Sequence, residues 1–356
     1  MSRFTSRGPS SAASRVRRAR GRYLLLPLLL LSLLPLTAAC GGTSSADTSA
    51  GGAAGEVTLH IGDQGKYVET LLQDSGELKN LPYKVVFDQF NSGPLVSQAF
   101  VAGDIDFGVM GDTPAIFAAA AGLPVDVVGA SRTVGVGYTL LARAGSGITS
   151  LAQLKGRKVA YSKGTANQGF LIQALATVGL RQQDITPVDV PLQNVGEVLD
   201  SGTVDAATVA AQDLVNYTQQ HPGAVKLITG SEVSSGYSFW LASRKAVAEP
   251  AERSALEDLV GRIVKANAWA TANPSAWIQA YYVGVNKQTP TAGKEIWQIS
   301  GETTFVPLDA TVVDAQQRQA DLFLANGQVP GKVDVGSEFP AAVEQEFSAV
   351  VAANQK

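Results

Sequence analysis

The chain has 356 residues, one cysteine, two histidines and a formal net charge of −3 at pH 7. Seven of its 28 Lys and Arg, and none of its 31 Asp and Glu, precede Cys40; from Cys40 onward 21 bases face 31 acids, a net of −10. That balance excludes a basic nucleic-acid-binding face, the lone cysteine excludes a disulfide framework and a cysteine zinc site, and two histidines exclude a His-rich metal site.

The first predicted segment is a leader. Arg3, Arg7, Arg15, Arg17, Arg18, Arg20 and Arg22 precede a leucine-rich run over 23–36, and Thr37-Ala38-Ala39 then leads to Cys40. A basic head, a short apolar run and small residues read as a secretory signal. A bilayer span needs about 20 apolar residues; this run is shorter and contains Pro27, Ser32 and Pro35, which weighs against an uncleaved anchor. The junction resembles the lipobox of bacterial lipoproteins, with Thr37 where Leu is usual and Leu36 one place further out. That resemblance implies cleavage before Cys40 and diacylglycerol on its sulfur. Arg17-Arg18 leaves twin-arginine export as an alternative to the general route. The Gly/Ser/Ala/Thr tract over 40–55 buries too little to offset its ordering entropy and reads as a tether.

From residue 56 the pattern is βα. Alternating, β-branched 57–61 is a predicted strand, 67–75 a helix, 83–87 a strand, 92–102 a helix, 105–110 a strand, 112–122 a helix and 125–130 a strand. The pattern restarts with a helical turn at 151–154, strands at 158–161, 185–190, 205–210 and 225–228, and helices at 167–178 and 195–199. Strands alternating with helices imply βαβ units and a mainly parallel sheet. Gly103-Asp104-Ile105-Asp106 and Gly202-Thr203-Val204-Asp205 occupy matching helix-to-strand junctions, pointing to an architectural repeat. A returning strand at 237–243 precedes helices at 250–271, 274–283, 293–299, 312–326 and 339–354. The expected organisation is a signal over 1–39, a tether over 40–55, a first lobe over 56–143, a second lobe over 144–236, and a return to the first lobe over 237–356. Crossovers are expected near 142–147 and 236–239.

Several stretches together resemble the aliphatic sulfonate-binding proteins of ABC importers. They are Phe90-Asn91-Ser92-Gly93-Pro94, Ala102-Gly103-Asp104-Ile105-Asp106-Phe107-Gly108, Gly111-Asp112-Thr113-Pro114, Leu154-Lys155-Gly156-Arg157-Lys158-Val159-Ala160 and Phe239-Trp240-Leu241-Ala242-Ser243-Arg244. Lys163-Gly164-Thr165, Asn273-Pro274 and the run from Gln316 to Phe323 add to the match. Related nitrate-, taurine- and thiamine-precursor-binding proteins share much of the pattern. The resemblance implies an α/β, two-lobed type II periplasmic-binding-protein fold with a ligand cleft between the lobes. It also implies a small anionic ligand, a permease and its ATPase as partners, a monomer, no cofactor and no metal, and a lipid tether to the outer face of the cytoplasmic membrane.

Candidate ligand contacts lie where strands end and helices begin, the usual ligand position in open α/β sheets. They are Ser92 and Gly93, Asp112 and Thr113, and Thr165 and Asn167. Each is equally an ordinary N-cap or helix opening. Converging helix N-termini would cradle an anion without a lysine. Gln64 follows the first strand. Gln212 follows the 205–210 strand, in the place that Gly111-Asp112 holds in the first half. Tyr237 and Ser238 stand at the return crossover. Arg132 could pair an anion or lie on the surface. Asp112 suits a ligand amino group, as in taurine, if it faces the cleft, and otherwise caps its helix. Trp240, Trp269, Trp277 and Trp297 read as core. An enzyme on this fold, resembling thiamine-pyrimidine synthases, would draw on histidines and a cysteine-rich motif that this chain lacks; no G-x-S-x-G elbow is present either.

Overall fold

The computed structural model describes residues 56–355; the leader, Cys40 and the tether lie outside them. The first run of elements is β1 (Thr58–Gln64), α1 (Tyr67–Ser75), β2 (Lys84–Phe90), α2 (Gly93–Ala102), β3 (Phe107–Gly111), α3 (Asp112–Ala120) and β4 (Val125–Thr133). The second is β5 (Tyr138–Ala142), β6 (Lys158–Tyr161), α4 (Ala166–Ala176), β7 (Thr186–Asp189), α5 (Val195–Asp200), β8 (Ala206–Ala210), α6 (Ala211–Gln220), β9 (Val225–Thr229) and α7 (Gly230–Val233). The return comprises β10 (Tyr237–Ser243), α8 (Arg244–Ala248), α9 (Pro250–Ala272) and α10 (Pro274–Trp277), which runs on as a π-helix over Ile278–Val285. It closes with α11 (Pro290–Ser300), β11 (Thr303–Val306), α12 (Ala310–Ala325) and α13 (Ala341–Asn354).

Two sheets result, ordered β11-β4-β10-β3-β1-β2 and β7-β6-β8-β5-β9. In the first, β1 runs parallel to β2 and β3, while β10 enters antiparallel between β3 and β4. In the second, β6 runs parallel to β7 and β8, while β5 enters antiparallel between β8 and β9. Each sheet is therefore parallel except for strands joined to a crossover or added at an edge. The run Phe239-Trp240-Leu241-Ala242 is buried throughout, as a central strand covered on both faces requires. The late helices return as expected: Leu256, Ile263 and Phe347 share one core with Leu59, Ile61 and Leu71. A separate cluster of Ile116, Ile172, Ala320 and Phe323 joins α3 and α12 to α4 of the second lobe.

The glycine–aspartate echo is a structural repeat. Gly103 and Gly202 have φ of 74° and 70°, a left-handed conformation that glycine adopts without Cβ strain. Asp106 Oδ2 accepts from His60 N at 2.9 Å, and Asp205 Oδ2 from Lys158 N at 3.0 Å, so each carboxylate ties the entry of its strand to a neighbouring parallel strand, β1 and β6 respectively.

One expectation is corrected. The first crossover lies over 134–137, not 142–147, because Tyr138–Ala142 already pairs with β8 and β9 in the second sheet. Gly145 and Gly147 follow that strand in a surface turn with positive φ. Five elements were absent from the predicted set: β5, α6, the short helices α7 and α8, and the four-residue β11; α6 buries Ala211, Leu214 and Val215 at helical spacing, so its period was there to be read.

Candidate functional site: an aromatic cleft at the strand ends

Register brings the carboxyl ends of both sheets together at one cleft. In the first sheet Ser238 pairs with Gly111 and Tyr237 with Arg132, so β10 begins beside the ends of β3 and β4. In the second, Tyr138 pairs with Ala210, so β5 begins beside the end of β8. Two cavities of about 380 and 310 Å³ lie there, and both are lined by Gly111, Thr133, Tyr138, Ala166, Ser238, Tyr281, Tyr282 and Ser300. They are one cleft in two parts.

Seven of the eleven expected contacts reach it. Gln64, Gly93 and Thr165 line the larger part, Asp112, Gln212 and Tyr237 the smaller, and Ser238 both. Gln64 is oriented by donating Nε2–H to the Val109 carbonyl at 2.7 Å. Gly93 serves helix packing, since an added Cβ would lie 2.6 Å from Pro114 Cγ. Thr165 Oγ1 donates to the Ser162 carbonyl at 2.7 Å instead of capping α4.

Four do not line it. Ser92 opens α2 through its carbonyl, which accepts from Leu95 and Val96. Thr113 is fully buried between the lobes, donating to Asp112 Oδ1 at 3.0 Å and accepting from Gln319 at 3.0 Å. Asn167 is buried, its Oδ1 without a hydrogen-bond partner. Arg132 is exposed and donates Nε–H to the Ser235 carbonyl at 3.0 Å, stapling the return crossover.

Asp112 lines the smaller part, yet its carboxylate serves its own surroundings. Oδ1 accepts from Thr113 N at 2.6 Å, and Oδ2 from Ser235 Oγ at 3.2 Å. Burial pushes the carboxyl above its ordinary range, opposed by hydrogen bonds from Gln319, Thr113 and Ser235. The register also shifts one comparison: Gly111 and Ala210 each close a strand, so the partner of Asp112 is Ala211, not Gln212.

Sequence reasoning missed the aromatic lining. Tyr67, Tyr138, Trp240, Trp277, Tyr281, Tyr282 and Trp297 all face the larger part. Trp240 and Trp277 are core residues, as expected, that also touch the cleft, Trp240 being held by Phe107 and Phe305; Trp297, expected as core, is only partly buried and borders it. Ser131, Thr133, Ser300 and Thr303 add hydroxyls. The available signal was the Trp277–Tyr281 spacing, which stacks two rings on one helix face at 4.9 Å. Burial, then the nearby Asp112 charge, holds the Tyr138 phenol up at about 12. The residues lining both parts include no Lys, Arg, His or Cys, and Asp112 is the one carboxylate. Among the described residues no group of three or more His, Cys, Asp or Glu is placed to hold a metal.

A family model, NMT1/THI5 like, matches residues 84–276. A protein of Escherichia coli (strain K12) described as aliphatic sulfonates-binding is 30% identical over 283 residues, 78% of this chain and 86% of its own. The alkanesulfonate-binding protein SsuA of Xanthomonas axonopodis pv. citri, solved bound to MOPS, superimposes with TM-score 0.74 at 27% identity over 81% of this chain and 99% of that one. The periplasmic aliphatic sulphonate-binding protein SsuA of Escherichia coli gives 0.71 at 28% over 80% and 92%. The desulfurization enzyme DSZB shares the fold alone, at 16% identity and TM-score 0.58 over 82% of this chain and 99% of that one.

Proposed function

We propose that this chain, which belongs to the NMT1/THI5 like family, is the extracytoplasmic binding component of an ABC importer and captures an organic sulfonate. The observation that carries the reading is a cleft with no cationic side chain but with bare helix N-termini on it, those of α4 and α6 foremost. Neither Thr165 at the start of α4 nor Ala210 at the start of α6 makes a side-chain cap, and Thr165, Ala166, Ala210 and Ala211 all line the cleft. A helix N-terminus offers unpaired N–H groups and about half a positive charge. Two of them, with the hydroxyls of Ser238, Ser300 and Thr303, suit the three acceptor oxygens of a sulfonate. Binding without turnover is supported by the lining itself, which provides neither a thiol nor an imidazole as nucleophile or base.

Capture would draw the lobes together around the ligand, followed by release to a permease powered by its ATPase. Lipid on Cys40 would hold the monomer at the outer face of the cytoplasmic membrane; two acyl chains anchor stably where one does not. Cys40→Ala is expected to move the protein to the soluble fraction or to leave it unprocessed, and a processed variant that stays membrane-bound would remove the lipid from this account.

Calorimetry on the folded body decides the binding claim. Sulfonate binding should change little between low and high salt, because long-range charge is screened beyond about 10 Å at 0.1 M while contacts inside a closed cleft are not. Thr165→Ala, which releases the Ser162 carbonyl and loosens the opening of α4, should weaken it about tenfold. Binding that collapses with salt, or that Thr165→Ala leaves unaltered, places the anion elsewhere.

A further inference from the structure

We infer that the ligand is a sulfonate carrying a flat ring, and that the π-helix over Ile278–Val285 selects it over an open alkyl chain of the same carbon count. This deepens the sulfonate reading and rests on it. Isolated π turns recur at functional sites, and here eight residues adopt the form. It places the consecutive rings of Tyr281 and Tyr282 on both parts of the cleft.

The wall is braced before any ligand arrives. Tyr281 stacks on buried Trp277 with centroids 4.9 Å apart and planes 8° apart. Tyr67 meets both rings edge-on at 5.6 Å. Gly293 lets α11 close on the π-helix, since an added Cβ would lie 3.1 Å from Tyr282 Cβ. That approach brings Trp297 to the same cavity. Tyr67, Tyr281 and Trp297 remain only partly buried, so they keep ring surface for a ligand.

Size and rigidity then point the same way. Cavities of about 380 and 310 Å³ lie in the range of roughly 300–1,000 Å³ that holds ring-sized organic ligands. A two-carbon sulfonate would leave most of that aromatic surface wet. A flexible hexyl chain could cover it, but would lose rotamer freedom in doing so. A ring loses none and gains offset or edge contacts with the tyrosines and Trp297.

The test compares benzenesulfonate with hexane-1-sulfonate, both of six carbons, by calorimetry on the folded body. Benzenesulfonate is expected to bind about tenfold more tightly. Tyr281→Leu should shrink that ratio to within about threefold, chiefly by weakening benzenesulfonate. Should Tyr281→Leu fail to fold, Trp297→Leu on the facing helix supplies the same comparison. Hexane-1-sulfonate binding as well as or better than benzenesulfonate overturns this inference and leaves sulfonate capture standing. A ratio that both variants preserve also overturns it, because the preference would then arise away from the π-helix. Absence of binding by both probes overturns the sulfonate reading itself, and this inference with it.

Discussion

The two lobes share a plan and treat the N-termini of two matching pairs of helices in opposite ways. In the first lobe, Asp63 accepts from Val68 N and Glu69 N at the start of α1, and Asp112 accepts from Thr113 N at the start of α3. The helices in the same topological places in the second lobe are α4 and α6. Their openings are Thr165-Ala166 and Ala210-Ala211, with no side-chain cap. A carboxylate at a helix N-terminus satisfies the free N–H groups and cancels the local positive potential. The first lobe has thus closed two anion sites with its own acids, and the second has left two open on the cleft. An exogenous anion belongs with the second lobe, and the first contributes Gln64, Tyr67 and the aromatic wall.

The comparison is broken most directly by copying the first lobe's device into the second. Ala211→Asp would put a carboxylate where Asp112 has its counterpart. It should reduce sulfonate affinity at least about a thousandfold, since like charges brought together cost several kcal/mol. Calorimetry beside a thermal unfolding control checks it; retained affinity would mean that α6 has no part in holding the anion.

Both crossovers pack a glycine against neighbouring backbone, Gly135 in the first and Gly236 in the return. The return crossover holds Gly236 at φ 74°, and an added Cβ would lie 2.5 Å from the Thr133 carbonyl oxygen. Gly236→Ala should therefore cost about 3 kcal/mol of stability, read from denaturant unfolding. A cost below about 1 kcal/mol would show that this crossover relaxes readily.

A one-sided feature sharpens the contrast further. Glu338, buried in the first lobe, has its carboxyl raised to about 8, mainly by burial, with Asp126 adding to the rise and Arg244 opposing it. The folded state then keeps a proton that the unfolded chain has lost between pH about 4.5 and 8, so stability falls as pH rises through that window. Glu338→Gln should match the parent at pH 4 and exceed it at pH 9, the gap opening as pH rises between about 4.5 and 8. Parallel stability curves for parent and variant would contradict this.

Two threonines near helix starts should separate. Thr113→Ala removes a hydroxyl bonded to Asp112 and Gln319 away from the cleft, and should cost about 1.5 kcal/mol of stability. Thr165→Ala should act mainly on affinity, as calorimetry and unfolding on both variants would show. The smallest effect tests the likeness itself. Asp106→Ala and Asp205→Ala should each cost about 1 kcal/mol and agree within about 0.5, because each loses one carboxylate bond to a strand N–H. A large excess for Asp205 would assign weight to Arg157, whose guanidinium stands 4.0 Å from it.

The amino-acid sequence by itself determined the alternation of strands and helices, the helical return and the repeat at Gly103–Asp106 and Gly202–Asp205. These follow from apolar period, helix-ending glycines and proline openings, all of which act within a few residues. Strand-end residues such as Gln64, Thr165 and Ser238 were legible for the same reason, because ligand position in such sheets follows from where strands stop. Thr113 and Arg132 were not separable from them, since a hydroxyl or guanidinium beside a strand end can turn toward the cleft, a neighbouring helix or a crossover.

Only the tertiary structure decided which helix N-termini stay open and what faces them. Asp63 and Asp112 read as acids near helix starts; the bonds that close those starts depend on side-chain direction. The aromatic wall is assembled from Tyr67, Tyr138, the Trp277–Tyr281 pair and Trp297, which lie on four separate stretches of chain and meet only in the folded molecule. Tyr281 and Tyr282 share one cavity because the backbone there is a π-helix, and their local sequence reads as an ordinary buried helix. Periodicity reports which face of an element is buried. Whether that face meets core or cavity depends on partners hundreds of residues away along the chain, a non-local outcome that no local pattern encodes.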